Sequence, residues 1–299
     1  MLDLKRLRLL RELHMRGTLA AVADALSYSP SAVSQHLSQL EREAGVELVR
    51  RVGRGVRLTP AGEQLVARAE ELLETMEQAE AELRAIGEGP SGTVRLAVFQ
   101  SAMLALLPAA LRAMREHAPR VRVEVYQREP ESALRETWMR EFDLVVAEQY
   151  PAHSAPHHSG LDRRALLTDR IRLAVGGELA DPVRTLADTA ELPWVMEPRG
   201  AASRHFAEQA CRTAGFEPDV RYETADLQAH VRLVESGNAV ALLPDLIWAS
   251  ADPRCALLGL AGAPRRTIFT SARRAGAEFP AVSTFRAALD QVASDLEVE

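Results

Sequence analysis

Leu65, Ala69, Leu72, Met76, Ala79, Leu83 and Ile86 are spaced by 4, 3, 4, 3, 4 and 3 residues, and this alternation constrains everything around it. An apolar period of 3.5 held over three repeats belongs to one long helix that offers a seam to another helix. Glu70, Glu71, Glu74, Glu77 and Glu80 flank the seam. Its ends are marked as well: Thr59-Pro60 supplies a cap and a first-turn proline, and Gly87-Glu-Gly-Pro-Ser-Gly92 has hinge chemistry. The seam serves either a two-chain contact or packing on the helix's own domain; the strict period and the charged flanks favour two chains. In both cases the helix separates a small N-terminal segment from a large C-terminal one.

The charge is divided at the same place. The chain carries −6 overall, yet residues 1–60 hold Lys5 and nine arginines against six acids, a net +4 that leaves −10 for the remainder. A basic head on an acidic body suits localised phosphate binding and argues against indiscriminate coating of nucleic acid. With 299 residues, 47% of them hydrophobic, two or three domains can each bury a core. No stretch reaches the roughly 20 apolar residues of a membrane span, and the charged start Met-Leu-Asp-Leu-Lys-Arg-Leu-Arg is no signal core. The expectation is a cytoplasmic protein without membrane contact. Cys211 and Cys255 are too few for a disulfide framework or a zinc site and read as small buried hydrophobes.

The head reads as three helices and a hairpin. Leu4, Leu7 and Leu10, with Leu9 and Leu13, share one side of a first helix that Gly17 ends. Thr18 is placed to cap a second helix, and Ser29 followed by Pro30 starts a third. On that third helix Ser31, Ser34, Gln35, Ser38 and Arg42 fall on one face, with Val33, Leu37, Leu40 and Ala44 roughly opposite. Short hydroxyls let a helix sink into the ~12 Å major groove, and glutamine offers adenine a bidentate pair. A merely solvated polar face is the bland alternative, and His36 points away from this face. After Gly45, residues 47–58 read as two short strands about a glycine turn, a wing bearing Arg50, Arg51, Arg54 and Arg57.

Taken together, Gly17-Thr-Leu-Ala-Ala-Val-Ala-Asp-Ala-Leu26, Ser31-Ala-Val-Ser34, Leu40-Glu-Arg-Glu-Ala-Gly45 and Arg54-Gly-Val-Arg-Leu-Thr-Pro-Ala-Gly62 resemble the N-terminal signature of LysR-type transcriptional regulators. Pro30 stands where many members carry glutamine, Val49 where phenylalanine is common, and Arg50 where an acid is common. The resemblance implies a winged helix-turn-helix over residues 1–60, with its second helix in the major groove and Thr18, Ser29, Ser31, Ser34, Gln35, Ser38, Arg51 and Arg54 as the DNA-binding residues. It implies a dimerisation helix at 61–88, a hinge at 89–92 and an effector-binding domain at 93–299. Homodimers that assemble further to tetramers follow from it, as does a two-fold-related operator on double-stranded DNA. RNA polymerase is a further expected partner.

Beyond the hinge, short apolar runs alternate with helical patterns: Val94–Phe99, Val121–Gln127, Asp143–Glu148, Ile171–Gly176, Trp194–Glu197, Val220–Thr224 and Ala239–Leu243. This is α/β organisation. Gly92-Thr-Val-Arg-Leu-Ala-Val98, Leu107-Pro108, Asp143-Leu-Val-Val146 and Val240-Ala-Leu-Leu-Pro244 are similar to the family's effector domain, which has the two-lobed fold of a type 2 periplasmic binding protein. The implied first lobe is 93–163 with 267–299, and the second is 164–266. Ligands of such folds sit at the carboxyl ends of strands between the lobes, which nominates Gln100, Ser101, Glu148, Arg199, Gly200, Ser203, Thr224 and Asp226. Ser101 is equally suited to a plain N-cap. One arrangement has Ser101 and the amides near residue 200 holding a carboxylate while Glu148 or Asp226 holds a cationic group, suiting an amino acid or related amine. His153, His157 and His158 lack partners at metal-ligand spacing, so neither metal nor other cofactor is expected. An enzyme fused to a DNA-binding head and an architectural DNA protein are the competing readings, but no nucleophile elbow, phosphate loop or dinucleotide fingerprint supports the first.

Overall fold

The computed structural model describes residues 1–53, 55–85, 89–153, 156–249 and 251–298. Two compact units divide the chain: Met1–Gly87 with Arg274–Phe279, and Glu88–Arg273 with Pro280–Glu299. Among the described residues no helix is long and apolar enough to cross a membrane.

In the first unit local chemistry sets each boundary. The Asp3 carboxylate accepts from the Arg6 amide at 3.1 Å and opens α1 (Leu4–Arg16), which Gly17 closes at φ 75°. Thr18 Oγ1 accepts from the Ala21 amide at 3.2 Å and opens α2 (Leu19–Leu26). Ser27, left-handed at φ 56°, turns the chain toward Ser29, whose Oγ accepts from the Ala32 amide at 3.2 Å at the start of α3 (Pro30–Ala44). The wing follows as β1 (Val49–Val52) and β2 (Gly55–Leu58), antiparallel with Arg50 opposite Arg57. Thr59 Oγ1 then accepts from the Gly62 amide at 3.1 Å as α4 (Pro60–Ala85) begins. Gly62 is required here, since a Cβ would meet the Leu48 carbonyl oxygen at 2.2 Å.

Leu7, Leu9, Leu10, Leu13, Val22, Val33, Leu37, Leu40, Leu48, Val66 and Ala69 form one buried cluster. Leu4, expected on the apolar side of α1, is instead 39% exposed, because it begins the helix one turn beyond this core. The heptad also divides. Leu65 and Ala69 pack into their own unit's core, so these two positions do not belong to an open seam. Leu72, Met76 and Leu83 are 50%, 46% and 70% exposed. Ile86, the last heptad position, and the first hinge residues lie outside the described residues.

The second unit is built on one nine-stranded sheet. In chain order it contains β3 (Gly92–Val98), α5 (Gln100–Ala105), α6 (Leu107–His117), β4 (Val121–Gln127), α7 (Pro130–Trp138), β5 (Leu144–Gln149), β6 (Arg164–Val175), β7 (Pro193–Met196), α8 (Ala202–Thr213), β8 (Asp219–Glu223), α9 (Leu227–Glu235), β9 (Val240–Pro244), β10 (Ala256–Gly259), β11 (Arg265–Ala272) and α10 (Pro280–Val298). The strand order is β4-β3-β5-β11-β6-β9-β7-β8, with β10 also paired to β6. β6 joins two lobes: Arg164 to Arg170 pair with β11, and Ile171 to Val175 pair with β9. It begins well before the expected apolar run at 171, because its first half alternates polar and apolar residues.

Ala97, Leu134, Phe142, Val145 and Phe269 form the first lobe's core on one face of the sheet. Val282, Phe285, Leu289 and Ala293 are the buried stripe of α10, with Val292 and Leu296 half-buried beside it. The second lobe packs around Val195, Val231, Val234 and Leu243 on one side and Leu173, Trp194 and Cys211 on the other. Burial pushes the thiols of Cys211 and Cys255 up to about 12 and about 11, which makes both poor nucleophiles near neutral pH.

Candidate functional site

Two surfaces carry the chemistry, one in each unit. On the first, α3 turns Val33, Leu37 and Leu40 into the core and leaves Ser31, Ser34, Gln35 and Ser38 exposed on the other side. Thr18 and Ser29 are also exposed, at the helix starts they cap, and the Ser29 and Ser31 hydroxyls lie 3.0 Å apart. His36 is half-buried against the Tyr28 ring, with centroids 5.7 Å apart. Arg50, Arg51 and Arg57 are exposed on the wing; Arg54 lies outside the described residues. The supports are internal carboxylates. Glu41 Oε1 accepts from the amides of Leu48 and Val49 at 3.0 and 3.1 Å, fixing the wing to α3. Arg6 donates to Glu43 at 2.7 and 3.2 Å, tying α1 to α3. The head thus exposes a row of hydroxyls and one amide on α3 and guanidinium groups on the wing, the residue types used for base-edge and phosphate contacts.

The second surface is a cleft of about 370 Å³ between the lobes of the larger unit. Four strand ends feed it. Glu129 and Pro130 follow β4, Glu148 is the penultimate residue of β5, Glu197 follows β7, and Ala225 follows β8. The loop from Pro198 through Ala201 and the first residues of α8 close one side, with Gly200 left-handed at φ 99°. Behind Glu148 lies Arg266 of β11, 1% exposed. Its guanidinium donates to Glu148, to Asp169 Oδ2 at 2.6 and 2.9 Å and to Ser101 Oγ at 2.8 Å. The rings of Phe99 and Tyr150 stand 5.3 and 6.0 Å from it. Burial holds the Glu148 and Asp169 carboxyls above the ordinary range although Arg266 opposes it.

Of the eight nominated cleft residues, Glu148, Arg199, Gly200 and Ser203 line this cavity, and Gln100, Ser101, Thr224 and Asp226 do not. Ser101 is fully buried on Arg266. Gln100 reaches across to the second lobe, donating to Asp226 at 2.8 Å and accepting from the Leu227 amide at 2.8 Å. Asp226 is thereby occupied, and it also caps α9 through the Gln228 amide at 3.0 Å. Thr224 accepts from the Asp226 amide at 3.1 Å. Sequence reasoning did not nominate Glu129, Glu131, His153 or Glu197. The strand-end rule contained the signal for two of them, since Glu197 follows β7 directly and Glu129 lies two residues beyond β4. His153 does not act with His157 and His158; it lies 3.3 Å from Glu131, while the His158 ring stacks on Trp138 at 5.4 Å. Among the described residues no cluster of His, Cys, Asp and Glu could hold a metal ion.

Glu197 is a strongly perturbed carboxyl of the cleft. Burial pushes it up to about 7, the Ser203 hydroxyl that it accepts from opposes the shift, and Glu129 and Glu148 add to it. Burial likewise raises Glu129. Chemically the cleft has an acidic lining, and Ser203, the one serine among its described lining residues, is hydrogen-bonded to Glu197.

Sequence comparison matches residues 4–63 to the profile described as bacterial regulatory helix-turn-helix protein, lysR family, and residues 87–294 to the LysR substrate binding domain. The transcriptional dual regulator GltC of Bacillus subtilis is 29% identical over 258 residues, covering 85% of this chain and 84% of that protein. A probable hydrogen peroxide-inducible genes activator of Streptomyces viridosporus is 30% identical over 293 residues, covering 96% and 91%. The same fold occurs in a full-length OxyR variant from Pseudomonas aeruginosa, at TM-score 0.67 and 18% identity over 98% of this chain and 95% of that one. It occurs also in full-length CbnR complexed with its target DNA, at TM-score 0.54 and 22% identity over 97% and 100%.

Proposed function

The chain belongs to the LysR family and is a DNA-binding transcriptional regulator modulated by an effector, not an enzyme; on that premise we propose how its parts divide the work. The exposed row Ser31, Ser34, Gln35 and Ser38 enters the major groove, where Gln35 reads a base edge and the serines allow close approach. Arg50, Arg51 and Arg57 on the wing contact the phosphates beside it. The single observation that carries this reading is the exposure of that row on a helix whose opposite side is fully buried in the core.

Leu72, Met76 and Leu83 form the part of the heptad that faces a second copy of α4. The homodimer presents two heads, so the operator has two-fold-related half-sites about one helical turn or a multiple of it apart. Pairs of dimers form tetramers. The effector occupies the cleft lined by Glu129, Glu148, Glu197 and the Pro198–Ala201 loop. It acts by favouring one arrangement of the lobes, which alters the spacing or bend imposed on the DNA and with it the recruitment of RNA polymerase.

Footprinting of the full-length protein on the DNA upstream of its own gene, against random DNA, tests the reading. Protection of two half-sites on the cognate DNA alone, shifted in extent or affinity by a cleft ligand, is the expected result. Equal protection of random DNA overturns sequence-specific recognition, and a ligand that occupies the cleft without moving footprint or affinity overturns the effector mechanism.

A further inference from the structure

The lining of the cleft has a sign. Glu129, Glu131, Glu148 and Glu197 face it, and the only cations among its described lining residues are Arg199, at the exposed rim, and His153 when protonated beside Glu131. Arg266 behind the wall does not reverse this balance, because its one charge is shared between Glu148 and Asp169. A carboxylate entering the cleft meets like charges, and the two hydroxyls considered for it are already committed: Ser101 to Arg266, and Ser203 Oγ, in the first turn of α8, to Glu197. Between the carboxylates the walls are short and apolar, with Pro130, Pro198, Ala201, Ala202 and Ala225. That combination accepts a charged nitrogen on an aliphatic stem.

We propose that the effector is a small organic cation, an aliphatic amine or guanidine, whose charge is held by Glu129, Glu148 and Glu197 and whose stem lies against Pro130, Pro198 and Ala225. This rests on the cleft being the effector site and specifies what that site selects. Glu197 then links binding to pH. The groups facing it are Glu129 before α7, Glu148 and Tyr150 at the end of β5, Arg266 on β11, Ser203 on α8 and the rim Arg199. On its other side Arg204 donates to its backbone carbonyl at 3.1 Å, and His230 lines the small adjoining pocket. Burial keeps both Tyr150 and His230 on their neutral sides near pH 7. A cation favours ionised Glu197, so binding releases a proton on the acid side of about 7.

Calorimetry with the full-length protein and a five-carbon series tests the proposal: 1,5-diaminopentane, pentylamine, pentan-1-ol and glutarate, at pH 6 and pH 8. The amines bind, the diamine most tightly, and their affinity rises about tenfold from pH 6 to pH 8 as Glu197 ionises. Glu197→Gln keeps an acceptor for Ser203, weakens amine binding and flattens the pH dependence; Glu129→Gln, at a more exposed position, weakens amine binding in a fold that does not depend on it. Pentanol or glutarate binding as tightly as the amines, or no amine binding at 10 mM, overturns the proposal. The two readings fail separately: amines that bind without moving the footprint sink the effector mechanism alone, whereas glutarate moving the footprint when amines do not sinks the cation assignment alone.

Discussion

The wing and the walls of the larger unit use arginine in opposite ways. On the head, Arg50, Arg51 and Arg57 are exposed along a short hairpin that the Glu41 carboxylate holds to α3, while Glu43 ties α3 to α1 through Arg6. In the larger unit Arg266 and Arg286 are each 1% exposed and held by carboxylates, Arg266 by Glu148 and Asp169, Arg286 by Asp162 at 2.7 and 2.8 Å. Exposed guanidinium groups remain available to an external anion such as phosphate, because water rather than protein satisfies them. Buried ones are consumed by the scaffold. The charge of Arg266 is therefore spent inside the cleft wall, and what faces the cavity is acidic apart from Arg199 at the rim and His153. The difference teaches that a residue type carries function only through where the fold directs it.

The sharpest way to break this comparison is Arg266→Met. If Arg266 is scaffold, its loss leaves Glu148 and Asp169 buried without a counter-charge, a cost of about 3–5 kcal/mol. Denaturant unfolding of the larger unit's transition reads it, and Arg266→Met combined with Glu148→Gln and Asp169→Asn restores most of the loss. A single variant that unfolds within about 1 kcal/mol of the parent removes Arg266 from the scaffold. Next in size is a pH effect. The folded protein holds Glu197 at about 7, above the 4.5 of an unburied glutamate, so its ionisation opposes folding. Its cost is absent below the unfolded value, grows as pH rises through the interval and is complete above about 7, reaching roughly 3 kcal/mol at most. Glu197→Gln should therefore melt with the parent at pH 4.5 and above it at pH 8. Equal melting at both values would show that the cleft hydrates Glu197 freely.

How much of this was legible in the chain depends on the range of the forces involved. Caps and turns are local, and Thr18, Ser29, Gly17 and Gly45 could be placed from neighbouring residues alone. The polar row on α3 followed from a helical period, and the apolar α/β runs from their composition. The heptad was half legible: period shows that a stripe is apolar, but not that Leu65 and Ala69 find their partner within the same unit while Leu72, Met76 and Leu83 do not. The cleft was least legible. Strand ends mark the right neighbourhood, yet the side toward which each residue turns is decided by distant partners. Ser101 turns to Arg266, 165 residues away, and Gln100 to Asp226, 126 residues away. Glu197 was marked only by its place just after β7, since its raised pKa comes from burial, with Glu129 and Glu148, distant in sequence, adding to it.

The head's side of the comparison is sharpened by the smallest effects. Gln35 and Arg51 are both exposed, but they are assigned different targets, and each target has its own signature. A base-edge contact discriminates: Gln35→Ala should cost about 1–3 kcal/mol on the cognate operator and much less on random DNA, relaxing preference at one position of each half-site. A phosphate contact is blind to sequence and releases counterions, so Arg51→Ala should weaken both DNAs alike and reduce the slope of log affinity against log salt by about 1 per head. Titrations of cognate and random duplexes at several salt concentrations separate the two. If Gln35→Ala lowers both affinities equally, the polar row is a solvated face and recognition lies elsewhere on the head. If Arg51→Ala leaves the salt slope unchanged, the exposed wing does not meet the backbone, and the opposition between free and consumed arginine loses its functional half.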